Sequence, residues 1–222
     1  MEINEKDVLR YLGYQNHQAD IATLEYIEQI KTELQTCIKP KYVYGKWKCT
    51  VDTAGTPAGI VKIENIVFSS KNLASHIRDC EWVILLAVTL GTEADTIIRR
   101  YCVIDAAKAA VAQAVCTAML ESFCDSLECH IASEESGEGV FLKSRFSPGY
   151  GDFNIIHQKD ILKLLEYKKR TGITLTDKFM MIPAKSITAI IGLTKEKQTI
   201  KRKCESCTNL QCDFREEHIN EF

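Results

Sequence analysis

The sequence predicts an α+β fold, and three features of the chain favour this class. Trp82–Val88 is apolar on both faces, as in a central strand that is covered on both sides. An alanine-rich helical pattern begins near Asp105 and continues for roughly 25 residues, which suits the long central helix of a domain. Helices and strands follow one another in mixed order, which argues against a doubly wound α/β sheet. The chain of 222 residues is long enough for one large domain with its own core.

The helices are predicted from apolar residues that recur three and four positions apart. Pro40 closes the second helix, and Gly172 ends the last one where glycine is favoured. Thr92 is predicted to cap the fourth helix, with Glu93 and Asp95 in the first turn, where negative charge is favourable. In chain order, the predicted helices are Asp7–Leu12, Asp20–Pro40, Lys71–Cys80, Thr92–Val103, Asp105 to about Ile131, and His157–Arg170.

The strands are predicted from alternating or wholly apolar runs between turn residues. Alternation over Tyr42–Val51 indicates a strand, and the turn Thr53–Pro57 allows the next strand to pair back on it. The remaining predicted strands are Ile60–Ile63, Trp82–Val88, Val140–Leu142, Phe179–Ile182 and Ser186–Leu193.

Composition and charge exclude several classes of protein. A formal charge of −2 gives no support to a nucleic-acid or anionic-membrane partner, because such partners favour a basic face. The longest apolar run, Trp82–Leu90, is far shorter than the roughly 20 residues that a membrane helix needs. The segment Met1–Lys6 lacks the basic-then-apolar layout of a signal peptide, so a cytoplasmic location is expected.

The segment Arg145–Asp152 is the first candidate for a functional site. It places a guanidinium three residues before a Pro-Gly turn, which is followed by Tyr150 and a second glycine. The planar donors of arginine bind a carboxylate two at a time, and glycines let the backbone approach a ligand. Such a loop suits a small anionic ligand, although on its own it could be only a tight turn.

Structural roles stay open for each polar residue in and near this loop. Arg145 could be a surface or salt-bridging arginine, and Tyr150 could simply cover the end of the sheet. Asp152 is expected to cap or turn the chain, and His157 to be a polar residue of a first helical turn. Asp105 and Lys108 are expected to supply capping and surface charge.

The ten cysteines fall into two groups. In a cytoplasm they stay reduced. One group lies in helical apolar patterns and is predicted to be small core residues: Cys102, Cys116, Cys124 and Cys129.

The second group, Cys204, Cys207 and Cys212, has the two-residue gap that lets two thiolates bind one metal ion. Three cysteines leave a zinc site one ligand short, so His218, a buried cysteine or a second subunit would complete it. An iron–sulfur cluster would also need a fourth ligand or an open iron. A disordered or reactive tail is the alternative.

Four segments in this order resemble a known family. They are Leu86–Thr92, the helix pair that follows it, Arg145–Tyr150 and Pro183–Thr188. Together they resemble the activation (S-adenosylmethionine-binding) domain of vitamin B12-dependent methionine synthase, and more closely its stand-alone relatives in anaerobic bacteria. The resemblance spans roughly residues 80 to 195.

The resemblance implies a fold and a site. The fold would be a single C-shaped α+β domain over residues 1–195, with a bent, mainly antiparallel sheet, followed by the cysteine-containing tail 196–222. Arg145 would hold the carboxylate of S-adenosylmethionine (AdoMet), and the backbone of Ser147, Pro148 and Gly149 would line the ligand. Tyr150 would pack near the ligand or near the corrin ring.

The resemblance also implies an accessory role beside a cobalamin-dependent methyltransferase, such as methionine synthase or another corrinoid protein. A methyl group from AdoMet and one electron from a flavodoxin-type donor would convert the partner's cob(II)alamin to methylcobalamin. No residue acts as a general base, because positioning is the main requirement. Two alternatives remain: a non-catalytic docking or scaffold subunit, and a small zinc or iron–sulfur redox protein that uses the tail cysteines.

Overall fold

The structure is a computed structural model that describes residues 3–14, 17–53, 59–135, 139–166 and 171–196. It confirms the α+β class: helices pack on a six-stranded antiparallel sheet of order β3-β2-β1-β4-β8-β5, and β6 and β7 form a separate two-stranded ladder. The strands are β1 Lys41–Asp52, β2 Ile60–Ile63, β3 Ile66–Ser69, β4 Trp82–Thr89, β5 Phe141–Leu142, β6 Thr174–Leu175, β7 Met181–Ile182 and β8 Ser186–Thr194.

The helices lie on both faces of this sheet. The predicted long helix is confirmed as α5, which spans 30 residues and packs against α1, α2 and α4. The helices are α1 Glu5–Tyr11, α2 Ile21–Cys37, α3 Lys71–His76, α4 Thr92–Ile104, α5 Ala106–Glu135 and α6 Gln158–Leu164, and a 3-10 turn at Ile155–His157 precedes α6.

Strand β4 is the centre of the fold, as its sequence predicts. It pairs along its whole length with β1 on one side and β8 on the other. Its side chains alternate between two cores, with Leu86 facing the layer of α1, α2, α4 and α5, and Leu85 facing the layer of α3 and α6. Both leucines are fully buried. The strand whose sequence is apolar on both faces is therefore covered on both faces in the structure.

Several local predictions are corrected. Thr92 is the first residue of α4 rather than its cap; Gly91 occupies the cap position at φ 89°, and no side chain caps the helix there. Strands β3 and β6 were not predicted, and α3 ends at His76 rather than at Cys80.

The prediction for the four helical cysteines is right for two of them. Cys116 and Cys124 are buried in the core, and burial raises the pKa of each thiol to about 12. Cys102 and Cys129 are exposed, because each lies on the outer side of its helix. In the part of the chain that the structure describes, no helix is both long enough and apolar enough to cross a membrane.

Candidate functional site

The loop Arg145–Asp152 begins at a β-bulge on the outer side of β8. Lys143 donates its amide to Gly192, and Phe146 exchanges both backbone hydrogen bonds with Ile190. Two residues, Ser144 and Arg145, therefore stand opposite the single residue Ile191, which defines a β-bulge. The extra residue decides which face each side chain takes. With the bulge, Arg145 points to α5, and Phe146 packs in the core on the α3 side.

Arg145 is buried against one face of α5, where it meets three carboxylates. Its side chain is 4% exposed and forms ion pairs with Glu121 at 2.8 Å, with Asp125 at 2.7 Å and with Glu128. Burial lowers the pKa of the guanidinium, but the three carboxylates outweigh burial and raise the pKa above its ordinary value. The geometry is therefore that of a buried salt-bridging arginine, and its contact with a ligand remains a prediction.

The three carboxylates were not predicted as site residues. Glu121, Asp125 and Glu128 are four and then three positions apart, so they share one face of α5. That spacing is visible in the sequence and would have identified an acidic helix face. Of the three side chains, Asp125 is the most exposed, at 64%.

Residues 147–153 form a compact turn that presents its tip to solvent. The Tyr150 amide donates to Ser147 O at 3.1 Å, and the Gly149 amide donates to Phe153 O at 2.7 Å. Gly149 has φ 99°, a backbone conformation that favours glycine. Tyr150 is 56% exposed, and its ring lies edge-on to Phe146 at 6.2 Å. The predicted ligand-lining residues are thus brought together at one exposed turn.

Asp152 fixes the end of this turn to α3. Its carboxylate accepts hydrogen bonds from Ser70 Oγ at 2.6 Å, from the Lys71 amide at 2.7 Å and from the Asn72 amide at 3.1 Å. Burial raises the pKa of the Asp152 carboxyl, but these hydrogen bonds outweigh it and lower the pKa below the ordinary value. The prediction that Asp152 is a capping residue is confirmed.

Aromatic rings pack beneath the loop. Phe146 lies 5.3 Å from the His76 ring and 6.1 Å from Phe153. Phe153 in turn stacks on His157, whose Nδ1 is 3.0 Å from Asp160 Oδ2. His157 thus has the structural role expected from its position at a helix start.

The other segments of the family resemblance meet at the end of the sheet where β4 stops and β8 starts. Ser186 Oγ donates to Pro183 O at 2.7 Å and lies 2.8 Å from Thr89 Oγ1. Asp95 of α4 accepts the Ala184 amide at 2.9 Å. These contacts join the Thr89–Gly91 turn to the Pro183–Thr188 segment, but they do not include the Arg145 loop.

Metal binding by the tail concerns Cys204, Cys207 and Cys212, which lie outside the described residues. Among the residues that are described, no group of three or more His, Cys, Asp or Glu side chains is placed to hold a metal ion. Asp105 accepts the amides of Ala107 and Lys108, so its predicted capping role is confirmed.

Comparison with protein-family models matches residues 70–213, well over half of the chain, to the vitamin B12-dependent methionine synthase activation domain. Among solved structures, the chain is similar to the crystal structure of the MetH reactivation domain bound to AdoHcy. The TM-score is 0.58 at 16% sequence identity, over 89% of this chain and 78% of that chain. At this identity the likeness concerns the fold. A comparison with curated proteins found no match.

Proposed function

Because the chain belongs to the family of vitamin B12-dependent methionine synthase activation domains, we propose that it binds AdoMet at the Arg145 loop. In this role it supports the reductive methylation of cob(II)alamin on a corrinoid-dependent methionine synthase or related methyltransferase. The observation that carries the proposal is the buried guanidinium of Arg145, held among three carboxylates beside an exposed turn whose glycine has a positive φ.

The charges of this cluster suit the methionine end of AdoMet. One guanidinium faces three carboxylates, so the cluster combines a positive group with an excess of acidic ones. AdoMet carries a carboxylate for the guanidinium and two positive centres, the ammonium and the sulfonium, for the carboxylates. The product AdoHcy lacks the sulfonium charge, so the cluster favours the methyl donor over the spent product.

Asp125 is the carboxylate best placed to yield to a ligand. Its side chain is the most exposed of the three, so rotating it into solvent costs the least desolvation. Its departure frees a donor on Arg145 Nη2 for the ligand carboxylate, while Glu121 and Glu128 keep the guanidinium in place. The ligand ammonium then pairs with the released Asp125.

The turn supplies the remaining contacts. A Cβ added at Gly149 would meet nothing within 4 Å, so the backbone there faces open space that a ligand can approach. Backbone groups of Ser147, Pro148 and Gly149 line that approach, and the exposed Tyr150 ring packs on the ligand or on the partner's corrin.

The chemistry requires positioning rather than proton transfer. When bound, AdoMet supplies a methyl group on a positively charged sulfur that is already a good leaving group. The residues of this chain hold that group and set its line of approach to the partner's cobalt. The electron comes from a flavodoxin-type donor, and the cobalt lies on the partner protein.

Titration calorimetry with AdoMet tests the proposal. We expect wild-type protein to bind and Arg145→Ala to bind at least about tenfold more weakly, since a charge-assisted hydrogen bond to the ligand carboxylate is lost. The matched control is Arg100→Ala, which removes an arginine–glutamate pair elsewhere in the fold, between α4 and Glu33 on α2. Asp125→Asn, which keeps the guanidinium, is expected to weaken AdoMet and AdoHcy by similar factors, because both carry the ammonium that pairs with Asp125. The absence of heat from folded wild-type protein would overturn the proposal.

A non-catalytic docking subunit is a second candidate, and one observation favours it. Both terminal nitrogens of Arg145 are already hydrogen-bonded to carboxylates, an arrangement that is complete without a ligand. This candidate expects tight association with a corrinoid protein but no AdoMet binding. Calorimetry with AdoMet, followed by co-sedimentation with a cobalamin-loaded methionine synthase, separates the two.

A further inference from the structure

Helix α3 contacts the Arg145 loop on both sides of its exposed tip. At the N-terminal end of the helix, Ser70, Lys71 and Asn72 bind the Asp152 carboxylate. At the C-terminal end, His76 contacts the residues that enter the loop. These α3 residues lie outside the Arg-x-x-Pro-Gly-Tyr motif, yet they hold the loop at both of its ends. We call these contacts the brace.

The His76 ring holds both chain neighbours of Arg145. Its Nε2 donates to Ser144 O at 2.9 Å, and its face lies 5.3 Å from the Phe146 ring. The His76 carbonyl also accepts a hydrogen bond from Lys143 Nζ at 2.9 Å. Because Ser144 and Phe146 are both fixed by one side chain, the backbone of the bulge at Arg145 has little freedom to move.

The close fit between α3 and the loop continues at Gly151. A Cβ at this position would collide with the Asn72 side chain, so the loop lies directly on the helix. The bulge directs the Arg145 side chain away from α3, towards α5. Arg145 is thus held from one face by carboxylates, while its backbone is held from the other face by α3.

We propose that His76 is a positioning residue for the ligand of the Arg145 loop: by fixing Ser144 and Phe146, it sets the position of the Arg145 guanidinium and of the turn at 147–150. This inference rests on the proposed AdoMet site, and it adds a residue to that site from outside the motif. His76 acts through the loop and does not itself touch the ligand.

The surroundings of the His76 ring favour its neutral form. Burial lowers the pKa of His76 and the Lys143 ammonium lowers it further, while the hydrogen bond to Ser144 O and the Asp79 carboxylate act in the opposite direction. A histidine whose pKa is lowered by folding contributes stability that is present above the ordinary pKa of about 6.5 and is lost as pH falls. Protonation would place a second positive charge beside the Lys143 ammonium in a largely buried position, so we expect the brace to weaken as pH falls below about 6.5.

Hydrogen exchange tests the brace without any ligand. In His76→Ala we expect the loop amides of Gly149 and Tyr150 to exchange at least about tenfold faster, while amides of the central strand β4 keep their wild-type rates. His76→Gln keeps a donor for Ser144 O and is expected to exchange at close to the wild-type rate. The matched control is His130→Gln, because His130 is an exposed histidine on α5. Unchanged loop exchange in His76→Ala would overturn the proposal.

Calorimetry then links the brace to ligand binding. We expect His76→Ala to weaken AdoMet about tenfold at pH 7.5, roughly the effect of losing one hydrogen bond and a ring contact. Wild-type affinity is expected to fall from pH 7.5 to pH 5, and His76→Gln is expected to remove most of that dependence. An equal pH profile in His76→Gln and wild type would overturn the positioning role. If wild type binds no AdoMet but His76→Ala still accelerates loop exchange, the proposed function fails and the brace stands.

Discussion

The two faces that hold the Arg145 loop differ in the forces they use. On the α5 face, one buried guanidinium meets three carboxylates. On the α3 face, the contacts are an aromatic pair, a side-chain cap and hydrogen bonds to backbone atoms. On the α5 face the ion pairs all meet at one side chain, that of Arg145, while on the α3 face the contacts are spread over several residues.

This difference predicts different responses to mutation. A buried ion cluster is sensitive to the loss of one member, because the remaining charges lose their partner. Distributed contacts are lost one at a time, and each costs about 1 kcal/mol. The charges on the α5 face should therefore affect both the stability of the protein and its preference for a charged ligand. The contacts on the α3 face should affect how well the loop is ordered.

The largest effect is expected from Arg145→Ala. The variant leaves three carboxylates facing one another, and we expect the free energy of unfolding to fall by about 3 kcal/mol. This is the lower end of the range for breaking a buried ion pair, since the carboxylates remain partly exposed. Urea denaturation measures the change, and Arg100→Ala, whose side chain is 47% exposed, is the control. Equal losses in the two variants would contradict the account of the α5 face.

An intermediate effect is expected from Asp152→Asn on the α3 face. The variant loses the charge and replaces one of two accepting oxygens with an NH2 group, so the free energy of unfolding should fall by about 1 kcal/mol at pH 7. Folding lowers the pKa of Asp152 below its ordinary 3.8, so its contribution is present above that value and is lost as pH falls further. Denaturation of both proteins from pH 7 to pH 3 should therefore show the gap closing at the acid end. A gap that stays constant would mean that the carboxylate charge is not what the cap uses.

The smallest effect on stability is expected from Tyr150→Ala. The ring is 56% exposed, so the free energy of unfolding should change by less than about 0.5 kcal/mol. Its matched control is Phe153→Ala, since Phe153 is 1% exposed and its removal should cost about 3 kcal/mol or more. If Tyr150→Ala nevertheless weakens AdoMet binding in calorimetry, the tip of the loop contacts the ligand and is not part of the contacts with α5 or α3. A large loss of stability would instead place Tyr150 in the core.

Periodicity in the sequence was enough to predict the central strand and the long helix of the fold. Trp82–Val88 and the helix from Asp105 were predicted because long patterns average out local exceptions. Strand β3 was missed because it is four residues long and follows a turn without glycine, in which Glu64 adopts φ 51°. Cys129 was misplaced because it lies two positions from the buried Leu127 and Ile131, which puts it on the opposite side of the helix. Cys102 was misplaced because the apolar residues that follow it, Val103 and Ile104, are themselves exposed.

The candidate site was predicted only in part. The motif identified the loop, but the partners of Arg145 lie 17 to 24 positions earlier in the chain, on a helix that local patterns do not connect to it. The carboxylate spacing indicated a shared helix face without indicating which cation it faces. The bulge left no sequence signal, because Ser144 and Arg145 are compatible with an ordinary strand.

The bulge at Ser144 and Arg145 also restricts how the edge of the sheet can misassemble. A slip to the regular pairing with β8 would exchange the two faces of this segment. Arg145 would then enter the aromatic layer without a counter-ion, and Phe146 would enter the cluster of carboxylates. Both placements are unfavourable, because the guanidinium would be buried without a counter-ion and the Phe146 ring would be surrounded by charged groups. The dipeptide Arg145-Phe146 therefore favours the native register of this segment on β8, with or without a ligand.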